Sequence, residues 1–523
     1  MACFINEYYG YSDFVNVNGV KLYTVIMLPK KEGKFPTIVM RTPYIEHNDY
    51  DDDRTVNFLL SHHIRFLERG YSVVFQHCRG TGKSQGVWRA YLDERDDSLA
   101  LFDYIRSQDF YNKQILLCGA SYGATINFSA APYEDDIVGA WFGTQDPNRY
   151  NICYRNGNFK VGLHGSWAIN MHNRNLKKKA YVFPDSFNIL PFKDFTKTVI
   201  SESLDEYNEL LKHPNPDDEF WNTSSGGVEC KKAYKDIKFP ILMDTGLYDI
   251  YTGGVFDAWN SLTKEQKEKS ALLVSGNDHS DRNCIKFPCS SVSEKYGANY
   301  YIDWFDYVLG KREKSPFELG KITYYTLFEN VWRSDNFESD NAINLTFGED
   351  RVEYVYNPYS PARFNGGVCN NFGGAKFQDK PNSRYDIISR YSAPFEKQVL
   401  VRGKIKGKLT VKSDAEDTCF YVRLSITKGN EDYPLRDDIT TLCYQLKDYT
   451  PNTDVELDFT FDEHSFMISK GEKIRIDVSS SNIECYVRHT NNKGLFSEQT
   501  TAKIAHNTVD FSKSYIVLPI VEE

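Results

Sequence analysis

Residues 114–131 read Gln-Ile-Leu-Leu-Cys-Gly-Ala-Ser-Tyr-Gly-Ala-Thr-Ile-Asn-Phe-Ser-Ala-Ala. The apolar run from Gln114 to Cys118 predicts a buried strand, and the small residues from Ala124 to Ala131 predict a tightly packed helix. Between them stands the pattern Gly-x-Ser-x-Gly, with Ser121 at its centre. A sharp strand-to-helix turn of this kind presents the serine hydroxyl at the carboxyl end of a sheet, beside a helix N-terminus. We therefore predict that Ser121 is a nucleophile.

Strands and helices alternate on both sides of this motif. Before it come predicted strands at 35–40 and 71–76 and helices at 56–67 and 93–107, and after it come predicted strands at 137–142, 239–243 and 271–275 and a helix at 301–309. Alternation of this kind predicts an α/β fold with a mostly parallel sheet covered by helices on both faces.

Changes in this pattern divide the chain into four segments. Residues 146–232 are aromatic, polar and helix-like, and from about Lys321 onward short alternating runs are separated by turn residues. We expect the α/β domain to occupy 1–145 and 233–318, with an inserted helical cap at 146–232 and a jelly-roll β-sandwich at 319–523.

Composition excludes several classes of protein. The 523 residues include 62 Lys and Arg against 72 Asp and Glu, and this net charge of −10 argues against nucleic acid or an anionic membrane as partner. No stretch of 18 apolar residues predicts a membrane span. The 11 cysteines lack any CxxC pair, which indicates free thiols and no structural zinc. The N-terminal residues lack the features of a signal peptide, so we expect a cytoplasmic protein, with a homodimer as one possible assembly.

The serine pattern occurs a second time, from Gly82 to Gly86, with Ser84 at its centre. This copy lies in a glycine-dense loop without a helix directly after it, so we interpret it as a loop. Gly82-Lys83-Ser84 also resembles the end of a phosphate-binding loop, but such a loop needs glycine where this chain has His77. We therefore expect no nucleotide.

A serine nucleophile needs a histidine base and a carboxylate that orients it. His279 is the one histidine after Ser121 that directly follows a buried-type strand. The acid is expected after the preceding strand, which offers Asp244 and Asp249. All of these groups then lie at the carboxyl end of the sheet. Spacing alone does not choose between the two aspartates.

At this point the chain resembles the bacterial cocaine esterase family, grouped with the Xaa-Pro dipeptidyl-peptidase-like serine hydrolases. The resemblance covers nearly the whole length. Its marks are the motifs at 41–44 (Arg-Thr-Pro-Tyr), 79–86, 119–123, 246–249 (Gly-Leu-Tyr-Asp), 276–279 (Gly-Asn-Asp-His), 304–306, 354–358, 413–418 and 478–481.

The resemblance implies an α/β-hydrolase domain with a helical cap and a C-terminal jelly roll. It implies that Asp249 is the acid, and that the Tyr44 hydroxyl and the Tyr122 backbone N–H form the oxyanion hole, without metal or cofactor. The chain departs from the family pattern at His77, where Asp is usual, and at the neighbouring Cys78. It also departs at Leu247, where Trp is usual, and we expect this change to enlarge or reshape the acyl pocket.

The resulting expectation is hydrolysis of a small carboxylic ester through an acyl-enzyme. Aromatic residues near the cap, among them Trp141 and Trp167, suggest an apolar acyl group such as benzoyl. The alternative within enzymes is an amidase: an Xaa-Pro dipeptidyl-peptidase, a β-lactam acylase or an α-amino-acid ester hydrolase. Such enzymes bind a free α-amino group, for which Asp146 is the candidate carboxylate. A third possibility is a non-catalytic binding protein on the same scaffold.

Overall fold

A single large sheet forms from the apolar segments that alternate with helices. The computed structural model of the chain describes residues 3–5, 7–45, 50–176, 178, 187–222, 233–279, 287–369 and 373–522. Its first strands are β1 (Cys3–Ile5), β2 (Tyr8–Val17), β3 (Val20–Leu28), β4 (Phe35–Thr42), β5 (Ser72–His77), β6 (Tyr111–Ala120), β7 (Ile137–Gly143), β8 (Tyr154–Arg155), β9 (Asn158–Phe159), β10 (Ile241–Tyr248), β11 (Ala271–Asp278), β12 (Ile322–Thr326) and β13 (Val331–Asp335). In this part of the described chain, β8 and β9 form a separate ribbon, and the other eleven strands pair in the order β1-β2-β3-β5-β4-β6-β7-β10-β11-β12-β13.

The centre of this sheet is parallel. Neighbouring strands from β5 to β12 run in the same direction, whereas β3 and β13 pair antiparallel with their neighbours at its two sides. An antiparallel hairpin joins β2 to β3, and at its turn Asn18 and Gly19 have φ of 51° and 84°. Because the parallel strands end at one edge, the loops that follow β4, β6, β10 and β11 meet there.

Helices cover the sheet and build the cap. They are α1 (Asp52–Glu68), α2 (Glu94–Arg106), α3 (Tyr122–Ala130), α4 (Arg149–Cys153), α5 (Ser166–Asn175), α6 (Phe195–Ile200), α7 (Asp205–Leu210), α8 (Thr252–Ser261), α9 (Lys264–Glu268), α10 (Val292–Tyr296), α11 (Tyr300–Val308) and α12 (Leu442–Leu446). In α1 the apolar spacing places Val56, Leu60 and Leu67 in the core. The Asp51 side chain accepts the Arg54 N–H at 2.8 Å and caps the N-terminus.

The C-terminal part of the chain is a sandwich of two antiparallel sheets. Its strands are β14 (Asn341–Leu345), β15 (Arg351–Tyr356), β16 (Ile388–Tyr391), β17 (Val399–Ser413), β18 (Cys419–Lys428), β19 (Glu431–Thr441), β20 (Val455–Ile468), β21 (Ile474–Ser479) and β22 (Ala505–Val521). In the described residues, one sheet has the order β14-β22-β17-β20 with β15 also paired to β22, and the other has the order β16-β21-β18-β19. This arrangement confirms the predicted fold class.

Two segment limits can be compared with these elements. Strands β12 and β13, which follow residue 318, extend the large sheet, and the strands of the sandwich begin at Asn341. The predicted end of the cap, residue 232, lies outside the described residues.

The cap and the β-sandwich are joined by partly buried polar contacts. Arg155 in the cap donates to Asp438 at 2.7 Å and to Asp462 at 2.9 Å. The Gly162 N–H donates to the Cys485 carbonyl at 3.1 Å. A Cβ atom on Gly162 would lie 1.7 Å from the Glu484 carbonyl oxygen, which is backbone and cannot rotate away. The two segments therefore approach each other at a distance that only glycine allows.

We expect Gly162→Ala to lower the midpoint of thermal unfolding by several degrees, because overpacking against a rigid neighbour costs about 1–3 kcal/mol. Gly165→Ala, in the same segment, is the matched control, since its Cβ would meet only side-chain atoms at 3.1 Å or more. Differential scanning fluorimetry of both variants checks this expectation. Equal melting temperatures for the two variants would contradict it.

Candidate active site

Ser121 stands at the turn between β6 and α3. Its backbone has φ of 53° and ψ of −127°, a conformation that L-residues rarely adopt. The Ser121 N–H donates to the Gly143 carbonyl at 2.9 Å. A Cβ on Gly119 would lie 2.7 Å from the Gly123 backbone, and a Cβ on Gly123 would lie 2.9 Å from the Arg41 carbonyl. Both glycines are therefore required by close packing around a strained serine.

Three side chains from separate loops meet at this turn. Ser121 Oγ lies 3.0 Å from His279 Nε2, and His279 Nδ1 lies 3.1 and 3.2 Å from the two carboxylate oxygens of Asp249. Asp249 is fully buried, and its Oδ1 also accepts the Tyr251 N–H at 2.7 Å. Since the carboxylate is held by a backbone donor, it fixes the orientation of the imidazole.

The other candidate acid is used elsewhere. Asp244 lies within β10, and its Oδ2 accepts hydrogen bonds from Trp141 Nε1 at 2.6 Å and from the Tyr300 hydroxyl at 2.7 Å. The structure thus brings Asp249, rather than Asp244, to the imidazole of His279.

Tyr44, after β4, reaches the same point from the other side. Its hydroxyl accepts the Trp167 Nε1–H at 3.0 Å, and Tyr44 and Ser121 line the same cavity. Burial raises the pKa of the Tyr44 phenol, so the hydroxyl keeps its proton at neutral pH and is available as a donor. Tyr122 begins α3, where the first backbone N–H groups have no carbonyl partner within the helix.

A buried charge cluster lies beneath this turn. The guanidinium of Arg41 pairs with Glu94 at 2.9 Å and donates to Gln76 and Ser98 at 2.8 Å. The Tyr122 hydroxyl donates to Glu94 at 2.6 Å. Because a buried carboxylate needs both a counter-charge and hydrogen bonds, Arg41 and Tyr122 hold Glu94 together and fix the start of α3.

A cavity of about 280 Å³ adjoins these groups. Apart from the groups described above, its described lining is apolar or aromatic with one neutral histidine, namely Tyr91, Ile152, Leu163, His164, Trp167, Ile250 and Tyr251. Burial, with nearby positive charge from Arg149 and Lys160, lowers the pKa of His164 to about 3. His164 is therefore uncharged at neutral pH, and the space beside the serine suits an apolar group.

Comparison with known proteins agrees with this architecture. Residues 18–281 match the model of the X-Pro dipeptidyl-peptidase (S15 family), and residues 350–516 match the X-Pro dipeptidyl-peptidase C-terminal non-catalytic domain. The chain belongs to the S15 family. Members of this family are hydrolases that act on ester or peptide bonds, and the chain is a hydrolase of this class.

Individual relatives of this S15 hydrolase are distant. The cocaine esterase of Rhodococcus sp. (strain MB1 Bresler) is 21% identical over 582 residues, which cover 97% of each chain. An aminopeptidase from a marine sediment Thaumarchaeota archaeon superposes with a TM-score of 0.82 at 18% identity, over 99% of this chain and 97% of its own. An α-amino acid ester hydrolase superposes with a TM-score of 0.81 at 18% identity, over 98% and 97% of the two chains. At these identities the superpositions show a common fold.

Of the predicted substrate-binding residues, only Trp167 lines the cavity of this S15 hydrolase. Trp141 stacks on Tyr301 of α11 at 4.6 Å between ring centroids, whereas its neighbour Phe142 faces α3 on the other side of the sheet. Leu247 is fully buried within β10. Asp146 packs against α8, where a Cβ on Gly254 would lie 2.4 Å from its carboxyl carbon.

The second serine motif is a structural turn in this S15 chain. Ser84 Oγ donates to the His77 carbonyl at 2.8 Å and accepts the Tyr23 N–H at 2.9 Å. His77 is fully buried, and its Nδ1 accepts the Lys83 N–H at 3.2 Å. The loop also contains an ion pair, between Arg79 and Asp97.

Several cavity residues were missed by sequence reasoning. Tyr91, Ile152 and Leu163 come from loops or short helical segments far apart in the chain, and no spacing rule connects them. The position of Tyr251 near the site could have been predicted, because it follows Asp249 by only two residues. In the structure its ring meets the His279 imidazole edge-on, with 5.2 Å between ring centroids.

Metal-binding clusters and membrane-spanning helices are both absent from the described residues. No group of three or more His, Cys, Asp or Glu in that part of the chain is arranged to hold a metal ion. Among the helices described, none has both the length and the apolar character needed to cross a membrane.

The carboxyl of Asp146 gives a test of stability against pH. Burial raises its pKa from 3.8 to about 7, while Lys160 lowers it and Asp257 and Asp462 raise it further. In the unfolded chain the group ionises near its ordinary value, so its burial increasingly opposes folding as the pH rises from about 4 to about 7. We expect Asp146→Asn, which keeps an acceptor for the Asn148 N–H, to gain melting temperature over the wild type across this range.

Thermal unfolding at pH 5 and pH 8 checks this expectation, with the exposed Asp109→Asn as the control. The melting temperature of the wild type should lie further below that of Asp146→Asn at pH 8 than at pH 5. The same difference at both pH values would contradict it.

Proposed function

We propose that the chain hydrolyses small carboxylic esters through an acyl-enzyme formed on Ser121. The observation that carries this proposal is the hydrogen-bonded series from Ser121 to His279 to Asp249, with distances of 3.0 and 3.1 Å. In such a series the imidazole removes the hydroxyl proton as the oxygen attacks the ester carbonyl.

The carbonyl oxygen becomes negatively charged in the tetrahedral intermediate and needs donors. In this proposal the protonated Tyr44 hydroxyl and the Tyr122 N–H supply them. His279 then gives its proton to the leaving alcohol, and Ser121 retains the acyl group. A water molecule, deprotonated by the same imidazole, attacks this acyl-enzyme and releases the acid, which restores Ser121.

The lining of the cavity supports an ester whose acyl part has no free α-amino group. Among the described lining residues none is a carboxylate, so an ammonium group there would lack a partner. Asp146, which was considered for that role, is buried against α8. This lining favours the esterase over the amidase alternatives, and Trp167 offers an aromatic wall to the acyl group.

Loss of the nucleophile is the first test. We expect Ser121→Ala to lose turnover of p-nitrophenyl acetate, butyrate and benzoate, and Ser84→Ala to keep it, because Ser84 hydrogen-bonds only within its own turn and to β3. Absorbance of released p-nitrophenol measures both variants. Activity that survives in Ser121→Ala would overturn the mechanism, and turnover of Gly-Pro-p-nitroanilide above that of the esters would overturn the ester preference.

Removal of one oxyanion donor is the second test. Tyr44→Phe deletes the hydroxyl alone, and loss of such a donor lowers kcat by about 10²–10³-fold. Tyr150→Phe is the control, since its buried hydroxyl donates to the Pro214 carbonyl outside the cavity. Steady-state kinetics with p-nitrophenyl butyrate should show a fall in kcat for Tyr44→Phe only. A change in KM without a change in kcat would contradict the assignment.

A further inference from the structure

Arg149, at the start of α4, is a buried cation without a counter-ion. It is only 8% exposed, and its guanidinium lies over the rings of Phe220 at 4.9 Å and Trp221 at 5.6 Å. Within the described residues it makes no side-chain hydrogen bond and no ion pair. Aromatic faces attract a guanidinium but do not satisfy its five N–H donors.

Two other buried arginines that form no ion pair within the described residues each donate to a backbone carbonyl, Arg436 to Glu463 at 2.6 Å and Arg488 to Pro358 at 2.8 Å. Further buried arginines pair with carboxylates. Arg41 pairs with Glu94 at 2.9 Å, Arg423 with Asp437 at 2.9 Å, and Arg475 with Asp477 at 2.8 Å. At Arg41 burial opposes the charge, but Glu94 and further acidic groups raise the pKa above its ordinary value. At Arg149 burial prevails and lowers the pKa. Arginine stays protonated in proteins, so Arg149 keeps a charge that the described residues compensate only through attraction to groups not paired with it, such as Glu206.

The guanidinium lines a second cavity, of about 560 Å³, next to the one at Ser121. The two cavities share His164 and Trp167 as walls. Ile152, one helical turn after Arg149, lines the first cavity, and residues three apart lie on the same side of a helix. The cavity at Arg149 is therefore adjacent to the cavity at Ser121, with Trp167 and His164 lining both.

Four other acidic or histidine side chains of the described residues line this cavity, and none of them forms an ion pair with Arg149, namely His164, His172, Asp205 and Glu206. His164 is neutral, with a pKa of about 3. Glu206 lines the same cavity but forms no ion pair with Arg149. Burial raises the pKa of Glu206 to about 7, and the positive charges of Arg89 and Arg149 oppose that rise. A planar anion has room to enter between these groups.

We propose that Arg149 binds a carboxylate of the substrate, so that the substrate is an ester carrying a second, ionised carboxylate group. A carboxylate matches the guanidinium fork with two parallel hydrogen bonds, which gives both charge compensation and orientation. This inference rests on the ester hydrolysis proposed above and adds the charge of the substrate to it.

The kinetic test compares pairs of esters that differ in one charge. The acyl-side pair is p-nitrophenyl hemiglutarate and p-nitrophenyl valerate, and the leaving-group pair is acetoxybenzoate and its methyl ester. We expect the wild type to prefer the anionic member of one pair, which identifies the side that carries the carboxylate. In Arg149→Met the ratio of kcat/KM values, anionic over neutral, should fall by about 10–100-fold.

Two further variants test whether the preference for anionic esters comes from charges inside this cavity or from positive charge anywhere on the cap. Glu206→Gln removes a negative charge from the same cavity and should raise the anionic-to-neutral ratio at about pH 8, where Glu206 is ionised. Lys212→Gln removes an exposed positive charge of the cap, paired with Glu209, and should leave the ratio as it is. A wild type without preference in either pair, or equal ratios in wild type and Arg149→Met, would overturn the proposal.

A binding measurement keeps the test independent of hydrolysis. Calorimetry with Ser121→Ala should detect monoethyl glutarate more strongly than ethyl valerate, and adding Arg149→Met should remove that difference. If the wild type hydrolyses no ester, the proposed function fails while this comparison still decides the carboxylate site. The same measurement with acetoxybenzoate and its methyl ester covers the leaving-group side, and equal binding within both pairs would refute the site itself.

Discussion

The strained backbone of Ser121 is the constraint on which the site depends. A residue with φ of 53° between a strand and a helix is held only if the chain on both sides is packed tightly. Gly119 and Gly123 permit that packing, since any Cβ on either would enter backbone atoms at less than 3.0 Å. The parallel sheet supplies the rest, because its strands end at the same edge and deliver Asp249 and His279 in loops that follow β10 and β11.

The buried pair of Arg41 and Glu94 connects this turn to the cap. The backbone carbonyl of Arg41 contacts the turn, and the guanidinium of Arg41 pairs with Glu94. Glu94 also accepts a hydrogen bond from the Tyr122 hydroxyl. The Tyr122 ring stacks on Trp167, with centroids 5.8 Å apart, and Trp167 donates to Tyr44. A buried ion pair contributes little net stability, but removal of one partner is severe. Its effect here is to set the positions of two tyrosines.

The sequence predicts the scaffold better than it predicts the cavity. Ser121 and His279 follow from the order of strands and loops, because parallel strands bring their carboxyl ends together. Spacing does not decide whether Asp244 or Asp249 is the acid, because both come at the end of one apolar run. In the structure Asp249 faces His279, whereas Asp244 accepts hydrogen bonds from Trp141 and Tyr300. Trp141 shows why the cavity is harder to predict. Alternation along β7 places Trp141 and Phe142 on opposite faces of the sheet, but it does not tell which face lies beside Ser121. The isolation of Arg149 is a tertiary property, produced by Phe220 and Trp221 from a distant part of the chain.

The β-sandwich takes part in shaping the cavity although it contributes no side chain to the described lining. Leu163 and His164 belong to the cap segment that begins beside Gly162, where the chain touches the Glu484 carbonyl. Arg155, slightly earlier in the cap, is held by Asp438 and Asp462 of the sandwich. This wall of the cavity is therefore tied to the sandwich by partly buried ion pairs and by the backbone hydrogen bond from Gly162 to Cys485. In the proposed reaction an ester must be held within a fraction of an ångström, and the sandwich contributes to this by positioning the segment that carries Leu163 and His164.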